Sequence, residues 1–223
     1  MNLRFHPPTK FAVGLTLALL AALAPSAGAA DAAKPVYQNS FENTALDKAP
    51  DDFLILDGGF AVKQEGDNKF LELPGAPLDS FGALFGPTEK AGFAVSARVF
   101  GVSKGRRFPT FGIGLNGVSG FKLQVSPAKK ALELYHGEAL KATVPFEWES
   151  GKWTQLKLQV RLVKDGQWKI EGKAWTQGGT EPAWTISADE TAEPPAGRAA
   201  IWGSPYSTLP IRYDDLLVTA AAD

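Results

Sequence analysis

The sequence predicts an all-β domain, a two-sheet antiparallel jelly-roll sandwich, and three observations carry that prediction. Leu156, Leu158, Val160 and Leu162 alternate with Lys157, Gln159, Arg161 and Val163, a period of two that turns one face of a strand to a core and the other to water. Turn chemistry rich in Gly, Pro, Asn and Asp recurs at roughly the 8–12-residue spacing of sandwiches and barrels. No stretch carries the 3.6-residue period of a helix of any length, while glycines number 23 in 223 residues. About a dozen short strands folded into two layers satisfy all three.

The centre of the domain runs from Gly151 to Ile186. After the first alternating strand, Lys164-Asp165-Gly166-Gln167 supplies a tight turn, because Asp-Gly accepts the positive φ that two-residue hairpins need. On the return, Trp168, Ile170, Gly172 and Ala174 share one side and Lys169, Glu171, Lys173 and Trp175 the other; the small residues leave room for a layer packed above. Earlier elements are shorter. Val36 to Asn39 gives a first strand. Leu54 to Leu56 and Phe60 to Lys63 bracket Asp57-Gly58-Gly59, and Lys69 to Leu73 follows Glu65-Gly66-Asp67-Asn68; both gaps read as hairpin turns. Ser80 to Phe85 and Phe93 to Val102 continue, the latter with Arg98 on its wetter face. Phe111 to Leu115, Phe121 to Val125, Ala131 to Tyr135 and Leu140 to Val144 form a meander, and Ala199 to Trp202 and Ile211 to Thr219 close the chain. In the last strand the period of two places Leu216 and Val218 beside Asp214.

Residues 1–30 are set apart. Arg4 and Lys10 precede an apolar run from Phe11 to Leu23, and Ala27-Gly28-Ala29-Ala30 makes a small-residue cleavage site, the pattern of a secretory signal peptide. Export to the periplasm or the extracellular space is therefore expected, with residues 31–223 as one mature domain. Without Arg4 and Lys10 the 23 basic residues fall to 21 against 24 acidic ones, a net charge of −3 with the signs interspersed. That distribution offers nothing to nucleic acid or, once the signal is removed, to a membrane surface. There is no cysteine, so no disulfide framework supports the fold.

Gly151-Lys152-Trp153 with Leu156-Lys157-Leu158, then Gly172-Lys173-Ala174-Trp175, Glu181-Pro182, Trp184-Thr185-Ile186 and Tyr213-Asp214-Asp215-Leu216-Leu217-Val218 together resemble the concanavalin A-like, laminin G-like jelly roll. The likeness is to the secreted bacterial version found alone or beside pyrroloquinoline-quinone-type propeller repeats, and it is best over Gly120 to Val218. It implies the sandwich fold and a superfamily that holds lectins, glycosidases and interaction modules, so activity must be argued from a site. Glycosidases of this kind carry Glu-x-Asp-x-Glu on one strand, which sets two carboxyl groups about 5–5.5 Å apart for retaining chemistry. This sequence lacks the triplet; Glu147-Trp148-Glu149 is the nearest match and reads as a turn between Pro145 and Ser150. The Asn-Ser-Gly stretch of the relatives that cleave 3-keto-disaccharides is also missing. His136, in a Tyr-His-Gly-Glu turn, is the single histidine of the mature chain and cannot build a His-rich zinc site.

The resemblance further implies a structural calcium ion held by an acid near the first strand and another on the last, here Glu42 and Asp214; no other cofactor is suggested. Lectins of the fold stack sugars on aromatic rings, which bring large apolar area at little entropic cost. Trp153, Trp168 and Trp184 lie in the resembling framework and are expected in the core. Trp202 and Tyr206, around a Gly-Ser-Pro turn, and Tyr135 and Trp148 fall at strand ends or loops; Arg106 and Arg107, before Phe108, could meet hydroxyls or a carboxylate. The expected function is a secreted, non-catalytic binding module for a glycan or a cell-surface protein, using Trp202, Tyr206, Tyr135 and Arg106 or Arg107. The alternatives are a glycoside hydrolase with an unusual acidic pair drawn from Glu133, Glu147, Glu149 and Glu171, or a purely structural cell-envelope domain. Oligomeric state is not encoded in any pattern read here.

Overall fold

A computed structural model describes residues 1–4, 34–76 and 79–221, so the export-signal assignment falls, but for its first four residues, outside the described ones. Residues 34–76 and 79–221 belong to one compact unit. Their strands are β1 (Pro35–Asn39), β2 (Leu54–Asp57), β3 (Ala61–Glu65), β4 (Asn68–Leu73), β5 (Phe81–Glu89), β6 (Phe93–Phe100), β7 (Thr110–Leu115), β8 (Phe121–Ser126), β9 (Ala131–His136), β10 (Ala139–Pro145), β11 (Trp153–Lys164), β12 (Gln167–Thr176), β13 (Ile186–Glu190), β14 (Gly197–Ser204) and β15 (Ile211–Ala220). A single turn of 3₁₀ helix, Pro127–Lys129, is the only helix among the described residues.

The strands form two antiparallel sheets. The first runs β13-β12-β11-β6-β15-β4-β3, with β1 added beside β15; the second runs β10-β9-β8-β7-β14-β5-β2. This is the predicted jelly-roll sandwich. First and last strands pair, Asn39 opposite Leu216 and Tyr37 opposite Val218. The central hairpin closes at Lys164 and Gln167 as its Asp-Gly turn requires. Gly172 opens the room expected above β12, since a Cβ there would lie 2.5 Å from a methyl of Leu123 in the opposite sheet. Leu156, Leu158, Val160, Val95, Ala97 and Val99 of the first sheet meet Phe111, Ile113, Leu123, Leu132 and Ile201 of the second in one buried core.

Two local readings change. Asp57-Gly58-Gly59 is a crossover and not a hairpin: β2 pairs with β5 in the second sheet, while β3 pairs with β4 in the first. Asp214 does not share a side with Leu216 and Val218, because the register of β15 against β6 shifts between Asp214 and Leu217. Asp215 adopts φ 50° there, so an extra residue is absorbed and the alternation inverts. Tyr213 and Leu216 face the core, and Asp214 turns to the outer face opposite Arg98.

The tryptophans also redistribute. Trp153 lies on the outer face of the first sheet, under the Arg98 guanidinium at 4.6 Å and near Phe70 and Phe100. Trp184 sits beside Lys173, 4.3 Å from its ring centre. Trp148, by contrast, packs against the core with its ring 6.2 Å from Phe111. Parity explains Trp153: it belongs with Gln155 and Lys157, the polar half of β11.

Candidate functional site

On the second sheet the same alternation that fills the core builds an outward surface. Phe111, Ile113 and Leu115 of β7 are buried, which leaves Gly112 and Gly114 outward. Phe121, Leu123 and Val125 of β8 are buried, leaving Lys122 and Gln124; Leu132 and Leu134 of β9 leave Glu133 and Tyr135. The registers align these residues in two rows. One runs Gly82, Trp202, Gly112, Gln124, Glu133, and the next runs Leu84, Ala200, Gly114, Lys122, Tyr135.

The glycines decide how Trp202 lies. A Cβ at Gly82 would stand 2.5 Å from Cζ3, 2.6 Å from Cε3 and 3.2 Å from Cη2 of Trp202, and one at Gly114 would stand 3.2 Å from its Nε1. The indole therefore lies down on bare backbone across β14, half-buried, with its other face outward. Neither glycine has a positive φ; each is needed for space.

Two adjoining depressions cover this surface. One, about 510 Å³, is lined by Lys122, Gln124, Tyr135, Tyr206, Phe108 and Ser204 among others. The other, about 430 Å³, is lined by Trp202, Val118 and Phe121 among others, and both share Ser80, Lys122, Gly137 and Glu138. The Lys122 ammonium stands 4.9 Å from the Tyr135 ring centre and 5.9 Å from that of Trp202, within reach of cation–π attraction. Burial pushes its pKa below the usual lysine value.

Glu133 lies under this surface with 3% of its side chain exposed. Its Oε2 accepts from Ser126 Oγ at 2.5 Å, Tyr135 Oη at 3.0 Å and Gln124 Nε2 at 3.2 Å, and its Oε1 from Lys129 Nζ at 2.8 Å. Burial alone would raise its pKa; the bonds from Lys129, Ser126 and Tyr135 outweigh it and hold the carboxyl below the ordinary glutamate value. Such a carboxylate orients its neighbours and is a poor general acid.

Of the sequence-predicted site residues, the fold brings Trp202, Tyr206 and Tyr135 together. Arg106 and Arg107 are exposed in the β6–β7 loop, where Lys104 and Arg107 form an isolated bridge, and neither lines the groove, although Phe108 does. His136 instead packs against Phe121, ring centres 4.6 Å apart and tilted by 34°, and faces Glu190 at 3.2 Å. The four glutamates do not converge. Glu133 is on the outer face of the second sheet, and Glu171 is on that of the first, bonded to Gln159 and Arg161. Glu147 reaches Lys130, and Glu149 reaches Lys152 and Thr176.

Glu42 and Asp214 both reach the start of β4: Glu42 accepts from the Lys69 backbone, and Asp214 from Asn68 at 3.0 Å. Asp214 Oδ2 also binds the Arg98 guanidinium at 2.6 Å, so a cationic group already meets it. Among the described residues no group of three or more His, Asp or Glu side chains is arranged to hold a metal ion.

Lys122, Gln124, Gly82 and Gly114 were not singled out from sequence. Their signal was present: the outward halves of two strands whose other halves are Phe-Leu-Val and Phe-Ile-Leu, with glycine at two of the three outward positions of β7, Gly112 and Gly114, after Thr110.

The fold is a concanavalin-like jelly-roll sandwich. No family model and no curated protein matches the chain. Among solved structures it is similar to carbohydrate binding module CBM66 from Bacillus subtilis, with TM-score 0.53 and 12% identity over 76% of this chain and 96% of that one. It is similar also to a protein of unknown function with a galectin-like fold from Bacillus subtilis, with TM-score 0.56 and 12% identity over 84% and 97%. A glycosyl hydrolase family protein from Mycobacterium fortuitum aligns with TM-score 0.52 and 10% identity over 83% and 99%. At such identities these likenesses establish the fold.

Proposed function

We propose that this chain is an exported glycan-binding module whose ligand lies on the outer face of the second sheet. The observation that carries the reading is the Trp202 indole laid flat over Gly82 and Gly114, one face open, at the edge of a groove furnished with Lys122, Gln124, Tyr135, Tyr206, Ser80 and Ser204. A sugar ring presents an apolar face to an aromatic plane and hydroxyls to the polar groups around it, and a flat ring held by the fold loses little entropy on binding. The carbohydrate binding module among the similar structures supports the same reading.

Hydrolysis is less well supported. A retaining or inverting pair needs one carboxyl kept protonated and a second within roughly 5–9.5 Å, whereas Glu133 is held ionised by four donors. Export in turn rests on residues 1–30, and the amino terminus of the protein recovered outside the cytoplasm tests it; a start near Asp31 is expected.

The binding test is a glycan array followed by calorimetry on the purified mature chain. Selective binding that falls at least tenfold in Trp202→Ala, with Tm shifted by only a few degrees, is the expected result. An empty array with folded protein would remove the glycan reading for the sugars offered and favour a cell-surface protein partner; product formation from any bound glycan would establish the hydrolase instead.

A further inference from the structure

Of the charged side chains in the groove, Lys122 stands apart. Its ammonium is half-buried between two rings, and no hydrogen bond or ion pair to it is formed by the described residues. Both oxygens of Glu133 are already engaged: Oε1 accepts from Lys129 and Oε2 from Ser126, Tyr135 and Gln124, Gln124 standing opposite Glu133 and Lys122 opposite Tyr135 across β8 and β9. The other groove lysine, Lys129, is thereby satisfied and its pKa raised. Glu133 and, after it, Glu138, exposed at the β9–β10 turn, act on Lys122 through charge alone, and burial outweighs both.

The balance matters because a partly desolvated ammonium has given up water without gaining a partner. A neutral hydroxyl would accept a bond from the ammonium and leave its charge uncancelled. An anionic oxygen would accept the same bond and cancel the charge in a setting that screens it less than bulk water does. On the basis of the glycan reading above, we infer that the groove selects an acidic saccharide, with the sugar ring on the open face of Trp202 and its carboxylate or sulfate on Lys122.

The inference is tested by calorimetry on the mature chain with three probes of matched length: uronic acid oligosaccharides, the same oligosaccharides methyl-esterified, and sulfated neutral oligosaccharides. The expected result is at least tenfold tighter binding of a charged probe than of the methyl ester, with the uronate and sulfate arms naming the anion. Lys122→Met is expected to reduce the charged probe to the level of the ester, and Lys122→Arg to retain most of the preference; Trp202→Ala is expected to weaken both. Raising salt from about 0.05 to 0.5 M should weaken the charged probe alone. Equal binding of acid and ester, or a preference that survives Lys122→Met, would overturn the acidic-sugar inference while leaving the glycan reading in place. Absence of binding to every probe by protein with an unaltered Tm would overturn the acidic-sugar inference, and an empty glycan array beside it would overturn the glycan reading as well.

Discussion

Substituting Gly82 by alanine is a small change with a sign that depends on Trp202. The added Cβ would stand 2.5, 2.6 and 3.2 Å from three ring atoms of Trp202, its three nearest neighbours. Carbon–carbon contact is comfortable at about 3.5–4.0 Å, so the ring must rise by about 1 Å, a gap that forfeits a quarter to a half of each contact it held on the far side. A cost of about 1 kcal/mol follows for a half-buried ring, at the low end of overpacking, or roughly 2–4 °C in Tm for a domain of this size. With Trp202→Ala in the background the space is free. There Gly82→Ala removes only glycine's excess backbone entropy in a strand, and should stabilise by about 0.5–1 kcal/mol. A double-mutant cycle by urea unfolding should therefore return a coupling of about 1.5–2 kcal/mol. Calorimetry with any bound glycan should show a loss for Gly82→Ala alone, smaller than for Trp202→Ala. Additive stabilities, with Gly82→Ala equally costly in both backgrounds, would refute the flat indole and with it the platform on which the functional reading stands.

Other consequences are separately measurable. Glu133 and Glu171 are both held below the ordinary carboxyl value, Glu133 by Lys129, Ser126 and Tyr135 and Glu171 by Arg161 and Gln159, each against the opposing pull of burial. The stability they supply is present above the unfolded value of about 4.3 and is lost as pH falls through the lower folded values; Tm against pH should drop steeply below about pH 4.5, and less steeply in Glu133→Gln. Arg98→Met leaves Asp214, whose side chain is 1% exposed, as a buried charge short of its cation, for an expected loss of about 3–5 kcal/mol by urea unfolding. Because Arg98 already supplies positive charge there, a chelator should leave Tm unchanged; a fall of several degrees would establish calcium at Glu42 and Asp214. Leu158→Ala, at a fully buried position opposite Val95 and Gly172, should cost about 2–5 kcal/mol while the folded fraction keeps its affinity for glycan.

The sandwich was legible because burial is enforced strand by strand. Leu156 to Leu162 and Phe93 to Val99 state their period in adjacent residues, and the Asp-Gly turn fixes the hairpin register without help from the rest of the chain. What failed to show depends on pairing between distant segments. Asp57-Gly58-Gly59 has hairpin chemistry, yet β2 is drawn to β5 and β3 to β4, and no local feature separates a reversal within one sheet from a crossing to the other. Asp214 was misplaced by one register shift at Asp215, whose positive φ no residue type demands. Trp202, Tyr206 and Tyr135 can be named as candidates from composition and turn position; Lys122, Gln124 and the glycines beneath the indole cannot, because their juxtaposition exists only once β5, β14, β7, β8 and β9 lie side by side.

The two outer faces of the sandwich differ in how their charges are matched, and that difference is why the proposed ligand is put in the groove and not on the opposite surface. Both faces carry aromatic rings and cations. On the first sheet the cations beside or between the rings are matched: Arg98 with Asp214 and Asp215 over Trp153, Arg161 with Glu171, Lys173 with Glu181 beside Trp184, and Arg212 with Glu65 and Glu72 over Phe70. Those pairs compensate their charges within the sheet. On the second sheet the glycines hold the Trp202 ring flat with a face uncovered, and the single buried carboxylate is consumed by four donors, which leaves Lys122 without an acceptor among the described residues.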